Sequence, residues 1–210
     1  MAITLRSGIY GSYYGSDYNS SGALTEDQMK VNATYIYKHL TDENFTVNAI
    51  SGILGNMTVE SSLNPGRWQS EDVGNMLGGY GLVQWTPATN YINWLKNLDS
   101  KMDPSEMDNN LSRLIYEYVN GGQYIPTSDY PETFEEFSKS TKSPEYLATA
   151  FLKNYERAGV EALTSRIAYA KVWYVYLTGG DFPPTPTPTS KKKKKFNFVL
   201  FNNSKRRIIY

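Results

Sequence analysis

Between residues 25 and 177 the apolar positions recur mainly at helical spacing. Met29, Ala33, Ile36, Tyr37 and Leu40 fall three or four apart and predict a first helix over roughly 26–40. Thr25, with Gln28 three positions later, has the pattern of a capping box at its start. Val47, Ile50, Ile53, Leu54 and Met57 make a second stripe, which begins after Thr46 and ends at Asn64-Pro65-Gly66. The periodicity then breaks. Gly66, Gly74, Gly78, Gly79 and Gly81 predict loops with a short β-hairpin, closed by the run Tyr80 to Trp85. Thr86-Pro87 is read as the opening of a third helix, because proline suits a first turn; its apolar side is Tyr91, Ile92, Trp94 and Leu95. Further helices are predicted over 105–120, 131–139, 144–156 and 160–177. The fold class expected is α+β, predominantly α, with a small β-hairpin insertion after the second helix.

The ends have a different texture. Residues 1–22 are rich in Gly, Ser and Tyr and read as a flexible leader before a domain over 23–180. Residues 181–190 contain PPTPTPTS, a composition that favours extended polyproline spacers. Residues 191–210 form a basic tail too short to make a domain of its own. The apolar run at the N-terminus is too short for a secretory signal. No run of about 18 apolar residues is present, so no membrane span is expected.

Composition narrows the chemistry. With no cysteine and one histidine, disulfides and thiol nucleophiles are excluded, and a zinc hydrolase site, which usually needs two or three His or Cys ligands, is not expected. His39 lies near the end of the first predicted helix, where it faces the negative helix pole. Acid–base work therefore falls to the 21 Asp and Glu residues, with no cofactor and no metal. The net charge of zero divides into −8 over residues 1–181 and +8 over 182–210. An acidic body with a basic tail is a poor pattern for nucleic-acid binding. The tail suits anionic wall polymers or a membrane surface. Its FNFVLF run could also add as a strand to another protein, or the tail could simply be solvated.

Glu60 follows Met57 by three positions and Ile53 by seven, so it lies on the buried stripe near the end of the second helix. Apolar neighbours and the negative helix end both disfavour a charged carboxylate there. A carboxyl kept protonated near neutrality is what a glycosidic leaving oxygen requires. A glutamate on such a stripe is otherwise a rim residue or the partner of a buried Arg. A second carboxylate should lie across a cleft, and Asp72 in the glycine-rich segment is the preferred partner; the alternative for Asp72 is a turn former before Gly74. Tyr80, Gln84 and Trp85 are candidate substrate contacts: Gln84 can donate to and accept from an N-acetyl or hydroxyl group, and Trp85 can stack on a sugar face. The alternatives are a satisfied turn for Gln84 and core packing for Trp85. The 18 tyrosines fit sugar clefts and wet surfaces equally.

Three segments together carry a family resemblance. They are Asn48 to Pro65 with its Gly-Asn-Met-Thr-Val-Glu-Ser core, Gly79 to Pro87, and Phe151 to Arg157. In order and spacing they resemble the phage tail-tip lysozyme family, over about residues 25–177. The resemblance implies a lysozyme-like fold and hydrolysis of the β-1,4 bond between N-acetylmuramic acid and N-acetylglucosamine in bacterial peptidoglycan. It implies Glu60 as the catalytic acid, Gly81 to Trp85 along the cleft and Tyr155 as a cleft tyrosine. Glu156 and Arg157 are read as structural, through a buried ion pair, and Asp72 carries over weakly. Some relatives have an added zinc endopeptidase domain. This chain has neither the histidines nor the length for one, so action on glycan alone is expected.

Two other functions stay open on sequence: lytic transglycosylation, and glycan binding without cleavage. A phage muramidase would ride in the virion tail or gather in the host cytoplasm before lysis. The basic tail would then serve contacts with wall polymers or other virion proteins.

Overall fold

A computed structural model describes residues 4–6, 8–14, 22–158 and 162–182. Seven α-helices dominate it: α1 (Glu26–Asp42), α2 (Val47–Ser61), α3 (Thr89–Leu98), α4 (Met107–Asn120), α5 (Phe134–Ser138), α6 (Pro144–Phe151) and α7 (Leu163–Leu177). Strands β1 (Thr4–Arg6) and β2 (Ile9–Gly11) pair antiparallel around Gly8, whose φ of 84° suits the tight reversal. The predominantly helical α+β reading matches this architecture.

Local chemistry sets the helix starts. Thr25 and Gln28 form the reciprocal capping box in front of α1, and Thr133 with Glu136 repeats it for α5. Thr46 caps α2 by accepting from the Ala49 N–H at 3.1 Å. The Pro87 expectation is off by two residues, since α3 begins at Thr89.

Helix α2 is apolar and buried almost all round, as a helix enclosed by others must be. Two glycines let its neighbours close in. A Cβ on Gly52 would meet the Leu147 carbonyl carbon of α6 at 2.8 Å, and one on Gly55 would meet the Arg166 carbonyl oxygen of α7 at 2.5 Å. Polar side chains tie the contact. The Asn56 amide donates to the carbonyls of Gly52 (2.9 Å) and Ala148 (3.0 Å), and the Trp173 indole N–H donates to Thr58 Oγ1 at 2.8 Å. Phe134, Phe137, Phe151 and Tyr155 fill the space between α5, α6 and the chain that follows.

Three expectations need correction. The leader is partly built into the fold: the Tyr10 N–H donates to Asn32 at 2.9 Å, and the Ser12 N–H donates to Asn64 at 3.0 Å. The segment 66–84 makes no extended strands. It forms isolated bridges Trp68–Tyr80 and Tyr80–Trp85 and a short 3₁₀ turn, Gln69–Glu71. Positive φ at Ser70, Glu71, Gly74, Gly81 and Gln84 turns the chain too often for a ladder, and short backbone turn bonds together with the Gln69 and Asn75 side chains satisfy the backbone instead. The helix read as 144–156 stops being α-helical after Phe151 and continues as a wider π-helical turn, Leu152–Glu156. Beyond α7, Phe182 folds back against Trp173 (5.0 Å between ring centres) and lies under the Lys30 ammonium. Most of the proline linker and all of the basic tail lie outside the described residues. Among the described residues, no helix is long and apolar enough to cross a membrane.

Candidate active site

Glu60 stands one residue before the end of α2, at the mouth of a cavity of about 710 Å³. Arg67, Gln69, Gln84, Glu156 and Arg166 share the cavity wall with it. The Glu60 side chain is 19% exposed, so its head reaches the opening while its stem is packed. The surroundings are not the purely apolar ones that helical spacing suggested. Arg166 from the first turn of α7, itself 2% exposed, donates from Nη2 to Glu60 Oε1 at 2.5 Å and from Nη1 to Asn56 Oδ1 at 3.0 Å. Asn56 and Glu60 are four apart and share one face of α2, so a single guanidinium spans both. Arg67 also reaches the cavity, where its Nη1 is buried without a hydrogen-bond partner among the described residues.

The segment Gly81–Trp85 forms the adjoining wall. Ser61 Oγ donates to the Leu82 carbonyl at 2.8 Å, and Asn110 Oδ1 accepts from the Leu82 N–H at 3.0 Å. Gly81 is required there: its φ is 85°, and a Cβ would lie 2.6 Å from Asn110 Oδ1. Gln84 uses both amide hydrogens internally, on the carbonyls of Arg67 (3.0 Å) and Gly81 (2.9 Å). Its carbonyl oxygen is the acceptor it can present to a bound molecule.

Three of the candidate contact residues, Tyr80, Trp85 and Tyr155, belong to the core. Tyr80 is fully buried, with its ring 4.6 Å from that of Trp68. Trp85 is 4% exposed, stacks on Tyr91 at 4.6 Å and donates its indole N–H to Glu117 at 3.1 Å. Its face is therefore occupied by protein. Tyr155 is 1% exposed and its hydroxyl donates to the same carboxylate. Glu117, 2% exposed, also accepts from Arg113 Nε at 2.8 Å, so one acid joins α4, the Gly81–Trp85 wall and the π-helical turn. Burial, reinforced by Glu117, pushes the Tyr155 phenol well above its ordinary range. Trp85, Glu117 and Tyr155 line a side pocket of about 410 Å³ that shares Gln84 and Glu156 with the main cavity.

Glu156 departs most from expectation. No ion pair with Arg157 forms among the described residues. Arg157 is exposed, in left-handed backbone (φ 47°), and donates to the carbonyls of Gln123 (2.5 Å) and Asn154 (2.7 Å). Glu156 Oε1 is shut off from solvent and has no hydrogen-bond partner among the described residues. Burial, and then the charge of Glu60, push its carboxyl well above the usual range against the opposing pull of Arg166 and Arg157.

Asp72 lies elsewhere. It is exposed in the turn after the 3₁₀ segment, accepts from Asn75 Nδ2 at 2.9 Å, and is not part of the cavity wall. Among the described residues, no group of three or more His, Cys, Asp or Glu side chains could hold a metal ion. Sequence reasoning missed Arg166 and Glu117 altogether. Arg113 and Glu117, spaced four apart on a predicted helix, were the available signal for Glu117. Nothing local marks Arg166, which meets Glu60 across 106 residues.

Known proteins share this chain's pattern. The family model described as phage tail lysozyme matches residues 31–177. Morphogenesis protein 1 of Bacillus phage B103 is 45% identical over 162 residues, which cover 77% of this chain and 43% of that protein. The chain thus spans less than half the length of that relative.

Proposed function

From the premise that the chain belongs to the phage tail lysozyme family, we propose that it is a muramidase. It hydrolyses the β-1,4 bond between N-acetylmuramic acid and N-acetylglucosamine in peptidoglycan, with Glu60 as the acid. The observation that carries this reading is the position of Glu60: a half-buried carboxyl at the end of the central helix, open to a cavity walled by Gln84, Arg67 and Arg166. The site is a concave, mixed polar and apolar surface large enough for sugar rings. In the reaction the Glu60 carboxyl gives its proton to the glycosidic oxygen and the bond from that oxygen to the anomeric carbon breaks. Water then adds to that carbon, and its proton returns to the carboxylate. Gln84 offers its carbonyl oxygen to an N-acetyl N–H or a hydroxyl. Arg67 offers a donor to a sugar or peptide oxygen.

A relative named for morphogenesis supports a place in the phage particle rather than a role confined to release from the host. The test is digestion of purified peptidoglycan followed by mass spectrometry. Hydrolysis yields reducing N-acetylmuramic acid ends, whereas 1,6-anhydro ends would mark a transglycosylase and no soluble product would mark a binding module. Glu60→Gln should lower the rate by about 10²- to 10⁴-fold while the fold is kept. A fully active variant would remove Glu60 as the acid.

A further inference from the structure

An acid that is ion-paired to a guanidinium in the free protein needs a proton from somewhere, and the cavity contains a second carboxyl. We propose that Glu156 is a positioning residue for the reaction, holding within the cavity the proton that Glu60 delivers to the glycosidic oxygen. This rests on the assignment of Glu60 as the acid. Glu60 reaches the cavity from α2 and Glu156 from the end of the π-helical turn, with Arg166 in the same wall.

The charges around Glu156 favour a proton on its carboxyl. From α7, Arg166 is engaged by Glu60 and Asn56. From α4, Glu117 faces Glu156 as a further negative charge and is itself matched by Arg113. Arg157, next in sequence, turns its Nη1 toward backbone carbonyls, and Arg67 lines the cavity without an ion pair to Glu156 among the described residues. A buried carboxylate oxygen lacking a donor is costly when charged, and far less so when the carboxyl carries a proton. The raised proton affinity of Glu156, caused by burial and by Glu60, agrees with this. Because both carboxyls line the same cavity, a proton held by Glu156 lies within the site that Glu60 serves. When a glycan enters and draws Arg166 away from Glu60, that proton moves onto Glu60. It passes to the leaving oxygen as the glycosidic bond breaks, and the proton of the attacking water restores the pair.

The π-helical turn makes this placement possible. A continued α-helix would carry residue 156 at 100° per residue, whereas the wider turn and the left-handed backbone of Arg157 end the helix at the cavity edge.

The test compares the pH dependence of kcat on purified peptidoglycan for the wild-type chain, Glu156→Gln and Glu156→Asp. Glutamine keeps the shape of a protonated glutamate but cannot share a proton. Its alkaline limb should move to lower pH, with kcat near neutrality down about a hundredfold and KM little changed. Aspartate, which can still hold the proton, should recover part of the loss. Infrared spectroscopy of the wild-type chain at neutral pH should show a protonated carboxylic acid band that Glu156→Gln lacks, a readout independent of turnover. An unaltered pH profile in Glu156→Gln, with Glu60→Gln inactive, would overturn the role of Glu156 and leave the muramidase reading intact. A missing infrared band would overturn it as well. Full activity in Glu60→Gln would bring down both.

Discussion

Gly55 lies against the backbone of Arg166 so closely that a Cβ on it would sit 2.5 Å from the Arg166 carbonyl oxygen. The missing side chain sets the spacing between α2 and α7, and that spacing lets a buried arginine reach the carboxylate one helical turn further along. Two effects compete in Gly55→Ala. Alanine gains about 1 kcal/mol of helix propensity over glycine. Overpacking in a filled interior costs about 1–3 kcal/mol, and here the obstructing atoms are backbone, which cannot swing aside. Overpacking should win. Urea unfolding should show a net loss of up to about 2 kcal/mol, and peptidoglycan cleavage should fall as α2 and α7 are pushed apart and the cavity wall that carries Glu60 and Arg166 is distorted. An alanine variant as stable and as active as wild type would show that the helices are free to slide apart at no cost.

Glu117 supports the site from beneath. It takes hydrogen bonds from Trp85, Arg113 and Tyr155, three groups from three parts of the chain. Glu117→Ala should cost about 3–5 kcal/mol, the range found when one partner of a buried ion pair is removed. The guanidinium of Arg113 would be left uncompensated, and the Trp85 and Tyr155 donors would be left without an acceptor. The loss should appear in the urea midpoint first and in activity through misplacement of Gln84 and Glu156. A change below about 1 kcal/mol would mean that water replaces the carboxylate easily.

How much of this was legible beforehand depends on the range of the interaction. The cap at Thr25, the start of α2 after Thr46, the stripe through Met57 and the arrival of Glu60 at a helix end follow from local sequence pattern, and they are in the structure. The π-helical turn was not legible, because its residues Leu152 to Glu156 read as a continuous helix until the bond from Tyr155 to Glu117, across 38 residues, shows where they point. Trp85 and Tyr80 show a different limit. Aromatic rings near a catalytic motif suit a sugar face and a core equally well, and only the stacking on Tyr91 and Trp68 decides for the core. The hairpin expectation failed because glycine frequency predicts reversal of the chain but not whether strands pair between reversals.

Asp72 is the carboxylate that sequence placed across the cleft and the structure places in an exposed turn. Asp72→Asn should leave stability within about 0.5 kcal/mol, as surface changes usually do. The rate of wall lysis should stay close to wild type. A strong loss of kcat with KM unchanged would instead return Asp72 to the reaction and require the turn to close over the cavity when glycan binds.

Stability against pH gives a test of Glu156 that needs no substrate. Its carboxyl has a folded-state value raised above the ordinary 4.5, by burial first and by Glu60 second. The folded chain therefore binds this proton more tightly than the unfolded chain does. Stability must fall as pH rises from about 4.5 toward the folded value, then level off, because the slope follows the difference in protons bound. Glu132, Glu136 and Glu145 are shifted the other way, by Lys142 and Tyr146, by Thr133 and by backbone and Lys171 bonds, and their contribution is lost as pH falls. These groups are common to wild type and Glu156→Gln, so they cancel in the difference between the two. That difference should be small at about pH 4 and grow in favour of glutamine toward neutrality. Thermal unfolding of both chains across that range measures it directly. Parallel curves would mean that Glu156 ionises as freely in the folded chain as in the unfolded one.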